Sequence, residues 1–181
     1  MTTKAQCIRD KKINEFRLEN FENLKSINNC HLEKSTFQSS IMDEIRVKNS
    51  HLTNSNLEKC NIKKALFQNS NLEKASFAWS NLKGNNFSKD NLSKANFQFV
   101  DLSFSKISDC KAKATDFRWS KLKNTKFSNC DLTNANFTNC DLRMTEFTNC
   151  DLKGAMYNIN TNLPFSKEKA KSLGMNFTGI H

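Results

Sequence analysis

From Leu32 to Tyr157 every fifth residue is apolar, without a gap, through 26 consecutive positions. The run opens Leu32, Phe37, Met42, Val47, Leu52 and closes Phe137, Leu142, Phe147, Leu152, Tyr157. Two residues before each stands a small side chain: 23 of the 26 sites hold Ala, Ser, Cys, Thr or Val, and only Ile45, Asn85 and Asp90 depart. A period of five fits neither regular element. At about 100° per residue, a helix would carry the apolar position roughly 140° around its surface at each step. An uninterrupted strand needs a period of two. Within one block, however, the small and the large residue are two apart and share one side of a short extended segment. The three residues between successive pairs must turn a corner, so the chain closes into a coil with its large residues inside.

The stretches NLSKANF (91–97) and TNANFTNCDL (133–142) resemble the pentapeptide-repeat family, whose pattern is A(D/N)LXX. The resemblance covers roughly residues 28–158. It implies an all-β fold, a right-handed, quadrilateral β-helix with 20 residues per coil. Residues 1–27 are then an N-terminal cap or irregular first coil, and 159–181 a C-terminal cap with a short helix. Residues 20 apart should stack at about 4.8 Å, giving about six and a half coils and a rod on the order of 30 Å long. Phe67, Phe87, Ile107, Phe127 and Phe147 fall in one interior column, and Phe77, Phe97, Phe117, Phe137 and Tyr157 in the opposite one. Ala112 interrupts a leucine column, so a local collapse or a filling side chain is expected there. Asn85 and Asp90 place polar groups at inward sites beside Gly84, predicting a distorted corner over 84–91; Ile45 and Val47 predict a similar irregularity.

Six of the seven cysteines (Cys30, Cys60, Cys110, Cys130, Cys140 and Cys150) occupy the small inward position and read as buried free thiols. Cys7 alone lies outside the pattern, and there is no CxxC, so no zinc site is indicated. His31 and His51 are 20 apart and should be neighbours, but no further ligand falls in register, so no metal or cofactor is expected. No Gly-rich phosphate loop, HExxH or GxSxG is present, which argues against an enzyme. The chain has no apolar run long enough for a membrane span, and residues 1–26, with Lys4, Arg9, Asp10, Lys11 and Lys12, do not read as a secretory signal. A cytoplasmic protein is the expectation.

Function should be written in the three outward positions of each block. One column reads Lys59, Trp79, Phe99, Trp119, Asn139, and Phe104 lies around the next corner. These aromatics predict a protein-binding edge. Leu66, Met144, Met156 and Ile159 are outward too. A basic column carries Lys63, Lys83, Lys123 and Arg143, with Lys106 and Lys126 on the next side. Lysines beside aromatics also fit a nucleic-acid-binding rod. Lys121 falls between Asp101 and Asp141 in a self-neutralising column. The net charge is +10.

The family resemblance adds a further expectation. Its Qnr-type members bind type II topoisomerases such as DNA gyrase and confer quinolone resistance with an acidic, DNA-like rod. Here Glu33, Asp43, Glu44, Glu58 and Glu73 are the positions available for an acidic stripe. Ser166 can cap a short helix ending at Leu173, with Gly174 suited to a left-handed φ. The apolar set Leu163, Phe165, Leu173, Met175 and Phe177 resembles the cap through which Qnr-type proteins dimerise. The sequence reading is therefore a non-enzymatic interaction scaffold with a protein partner, gyrase or topoisomerase being one alternative and nucleic acid another.

Overall fold

The structure, a computed structural model, describes residues 6–179; residues 1–5 and 180–181, including Lys4 and His181, lie outside the described residues. One residue in five makes the corner. From Lys34 to Asn149 the residue just before each small inward site has a positive φ, from 48° at Asn49 to 73° at Gly84. Many of these corners are four-residue turns. Ser55 N–H, for example, donates to Leu52 O at 3.1 Å across Asn54, whose φ is 58°. A positive φ at the third residue is the condition of a type II turn. Asn, which tolerates this backbone, fills eight of the corners.

Between corners the chain is extended only long enough to bond its neighbours. On one side the rungs are full strands: β1 (Gln6–Arg9), β2 (Leu24–Asn28), β3 (Arg46–Lys48), β4 (Leu66–Gln68), β5 (Asn86–Ser88), β6 (Lys106–Ser108), β7 (Lys126–Ser128) and β8 (Glu146–Thr148). They pair in parallel in that order. The other three sides are carried by single-residue bridges such as His51↔Asn71, Asn56↔Ser76 and Asn61↔Asn81. The product is a right-handed, four-sided parallel β-helix.

The interior follows from the spacing. Phe67 and Phe87 stack at 4.7 Å between ring centroids, Phe77 and Phe97 at 4.8 Å, and Phe117 and Phe137 at 5.1 Å. The two columns meet edge-on across the core, as Phe77 and Phe87 do at 88°. Each phenylalanine of these columns from Phe67 to Phe147 thus has both favoured aromatic geometries. The small inward sites do more than save space. A hydroxyl there donates to the carbonyl of the large residue 23 positions earlier, as in Ser55 to Leu32 O (2.9 Å), Ser105 to Leu82 O (3.1 Å) and Thr125 to Leu102 O (2.9 Å). Several also accept the N–H of the residue 20 positions earlier, as Ser105 does from Asn85 at 3.1 Å.

That bonding explains why the expected distortions are absent. β5 holds the same register with β4 and β6, so 84–91 is a regular corner. Asn85 Oδ1 accepts Ala65 N–H at 2.9 Å. Asp90 Oδ1 takes the place of a serine oxygen and accepts Ser70 N–H at 2.8 Å, while Oδ2 accepts Ser88 N–H at 3.0 Å. Ile45 and Val47 are buried and β3 is equally regular. The ladder also runs unbroken through Ala112, whose N–H donates to Asp131 O at 2.8 Å.

The ends differ from the middle. Residues 6–26 form a further coil that is one residue short, with Ile8 opposite Ile27 and Lys12 bridged to His31. Ile8, Ile13 and Leu18 do keep a five-residue phase, displaced by one position. Phe16 and Phe21 donate their N–H groups to the Ser35 and Ser40 hydroxyls, both at 3.0 Å. At the other end, Asp141 bridges Asn162, so one extra residue enters over 158–161. Helix α1 (Lys167–Ser172) follows, with Ser166 Oγ accepting Lys169 N–H at 3.2 Å, Leu173 as its C-cap and Gly174 at φ 75°. The chain then returns to register, as β10 (Asn176–Phe177) pairs in parallel with β9 (Met156–Tyr157).

Two stability changes are expected. The buried Asn85 Nδ2 has no partner among the described residues. Asn85→Ser supplies the hydroxyl used elsewhere in the column and removes that orphan, so chemical denaturation should show a gain of about 1–3 kcal/mol. Burial pushes the Asp90 carboxyl up from 3.8 to about 7, against the lowering effect of the Ser70 and Ser88 N–H groups. The native state therefore holds a proton between these values that the unfolded chain has released. Its contribution is full below 3.8 and is lost as pH rises to about 7. Asp90→Ser should raise the melting temperature at pH 8 and flatten the fall in stability over that window, measured by thermal unfolding against pH.

Candidate functional site

One side of the rod gathers most of the outward residues singled out by the sequence. Its rungs are 61–63, 81–83, 101–103, 121–123 and 141–143. One bordering corner carries Lys59, Trp79, Phe99, Trp119 and Asn139; the other carries Lys64, Gly84, Phe104, Asn124 and Met144. Trp79, Phe99, Phe104 and Trp119 are 59%, 38%, 57% and 52% exposed. Trp79 and Phe99 stack at 4.0 Å with planes 6° apart, and Phe99 and Trp119 at 6.1 Å and 4°. The stack covers both faces of Phe99 and one face each of Trp79 and Trp119. A shallow groove runs beside them, lined by Asn81, Val100, Asp101 and Lys121. Met144 on the far corner is more exposed still, and Ile159 beyond the last full coil is exposed too; Leu66 and Met156 are half-buried.

The basic residues are less free than their spacing implied. Lys63 lies 3.4 Å from Asp43, and Arg143 pairs with Asp141 at 2.7 Å. Lys83 Nζ sits 5.2 Å from the Phe104 ring centroid, a cation–π contact that ties this column to the aromatic corner. Lys106 and Lys126 stand on the adjoining strand side, where Lys126 reaches Glu146 at 2.9 Å. Lys123 forms no ion pair among the described residues. Hydrogen bonds from Arg143 hold the Asp141 carboxyl below its ordinary range. Lys121 does bridge Asp101 and Asp141 through the backbone, but Asp141 spends its charge on Arg143.

The acidic positions do not assemble. Asp43 and Glu44 flank the face just described, Glu58 bonds Ser76 at 2.6 Å on another side, and Glu33 and Glu73 lie on a third. The inward cysteines are buried except Cys150, half-buried near the end of the strand stack, and Cys7 is exposed. Burial pushes the Cys60 thiol up to about 11 and Cys140 to about 12. Such thiols stay protonated and are poor nucleophiles. In the cap, Met175 is buried, Phe165 rests on Phe147 at 6.2 Å, and Leu163 and Leu173 are half-buried. Phe177 is exposed, edge-on to Tyr157 at 5.5 Å. No helix among the described residues is long and apolar enough to cross a membrane.

Sequence reasoning missed one grouping. Glu33 projects beside the stacked His31 and His51, and the ligand atoms of all three lie within 4.8 Å of one another. The signal was present in the spacing His31-x-Glu33, since residues two apart share one face.

Comparison with known proteins agrees with the architecture. The model of pentapeptide repeats in eight copies matches residues 30–69 and 60–98, and that of the pentapeptide repeat region matches 85–157. No curated protein sequence matches the chain significantly. Among solved structures, a trypsin-treated form of QnrB1, a plasmid-mediated fluoroquinolone resistance protein, is similar over 95% of this chain and 89% of its own, with 15% identity and a TM-score of 0.53. A pentapeptide repeat protein from the Arabidopsis thaliana thylakoid lumen shares 22% identity over 60% of this chain and 70% of its own, with a TM-score of 0.41. With its repeat matched from residue 30 to 157 and its coils closed as that repeat requires, the chain belongs to the pentapeptide repeat family.

Proposed function

We propose that this pentapeptide-repeat scaffold works without catalysis, docking a protein partner across the face edged by Trp79, Phe99, Trp119 and Phe104. The observation that carries this reading is the backbone under the rings. All four stand at positive-φ corners, between 57° and 64°. For a bulky side chain that conformation costs about 1–2 kcal/mol. Ring stacking returns about 0.5–1.5 kcal/mol per pair, so the ladder adds little to folding while keeping apolar surface in water. Lys59 and Asn139 hold the same corner with ordinary polar side chains. Exposed, rigid aromatics of this kind are the usual anchors of protein interfaces. Lys83, Lys121 and Lys123 favour a partner with an acidic rim.

Nucleic acid is the weaker reading. Base stacking needs free ring faces, and the ladder leaves them only at its two ends, since Phe99 is stacked on both sides by Trp79 and Trp119. The topoisomerase reading draws on the likeness to QnrB1, which speaks for the fold, and the dispersed carboxylates do not form a DNA-like stripe.

The test compares wild type with Trp79/Phe99/Trp119→Ser as bait in nuclease-treated lysate. A protein retained by wild type and lost from an equally folded variant is the expected result; equal retention by both sinks the proposal. Gyrase or topoisomerase subunits among the retained proteins would identify the partner as that of the Qnr type. Independently, Trp119→Asn should move the melting temperature by less than about 4 °C. A larger fall would mean that the ladder serves stability.

A further inference from the structure

The geometry points to a cation site on the side of the rod opposite the proposed docking face: His31, Glu33 and His51 form a three-ligand surface site for a late first-row divalent metal ion, with Zn²⁺ as its probe. The backbone brings them together without strain. His31 and His51 are bridged as neighbouring rungs, so their Cβ atoms are held one coil apart. Their rings stack at 4.5 Å with planes 6° apart. Glu33 leaves the same short segment as His31, two residues on, and its Oε1 lies 3.6 Å from His31 Nδ1. That separation is too long for a hydrogen bond, so the pair is adjacent without being committed to each other.

Two imidazoles and a carboxylate are a known donor set for zinc and its neighbours in the series. Around a tetrahedral ion with bonds of about 2.0–2.2 Å, ligand atoms stand about 3.3 Å apart. Here all three lie within 4.8 Å of one another. Tilting two exposed imidazoles by side-chain rotation closes the difference, with no movement of the ladder. The rungs on either side limit the set: Lys12 bridges His31 from one side and Asn71 bridges His51 from the other. No fourth strong ligand is supplied, so water completes the shell. The ion would clamp the coils carrying β2 and β3, close to where the N-terminal coil loses one residue.

The experiment uses the untagged, metal-free full chain carrying Cys7→Ser, which removes the exposed thiol as a competing ligand. Titration calorimetry with Zn²⁺ at pH 7.5 should give one saturable site in the micromolar range and a higher melting temperature. Either His31→Ala or His51→Ala should abolish it, and Glu33→Gln should weaken it by roughly tenfold or more. Cobalt substitution adds a readout independent of stability: visible absorption without thiolate charge transfer. Absence of saturable binding, binding undiminished in either histidine variant, or indifference to Glu33→Gln would each overturn the site.

Discussion

Everything in this molecule depends on a left-handed residue once in every five. Without those corners the short extended segments would run on as strands, and the inward alternation would have no centre to face. The conformation is intrinsically unfavourable for most side chains. It persists because each corner N–H from Lys34 to Asn134 is spent on the next coil, as Lys34 on Thr53 O and Asn54 on Glu73 O, 2.9 and 3.0 Å long. The coils hold the corners, and the corners make the coils. Stability is correspondingly one-dimensional, each coil resting on its two neighbours.

The small inward sites are the second half of that arrangement. They were legible as places where bulk is excluded, yet their chemistry is decided by hydrogen bonding. Ser and Thr reach back to the carbonyl of a large residue one coil below, giving it a second donor beside the N–H that closes its own turn. A column can therefore absorb Asn85 or Asp90 without distortion, because either presents an oxygen where a serine oxygen would be. Polarity at such a site is costly only where an atom is left over, as at Asn85 Nδ2, or where burial opposes ionisation, as at Asp90.

The surface shows what regularity contributes to recognition. A ladder with a fixed repeat places like residues in files, so three aromatics at one corner become a continuous edge and two histidines become a stacked pair. Charge behaves differently. Flexible lysine and arginine side chains chose partners within and between rungs, so a column that reads as a basic file is partly neutralised by Asp43, Asp141 and Glu146. Files of rigid rings survive folding as files; files of charge do not.

The period of five, by itself, determined the coil, its 20-residue stacking, the interior columns and the corner on which Trp79, Phe99 and Trp119 meet, because side-chain direction is fixed by backbone geometry alone. The end of the repeat was equally legible in Ser166 and Gly174, whose capping preferences are local. The tertiary structure decided what depends on contacts between coils. It set the register slip that turns Ile8, Ile13 and Leu18 into a shortened first coil, since a one-residue deletion leaves a short sequence phase easy to overlook. It decided that Asn85 and Asp90 bond the coil before them, and that Glu33 completes a triad with His31 and His51. Each of these is a distance between atoms far apart in the chain, and such distances exist only once the coils have stacked.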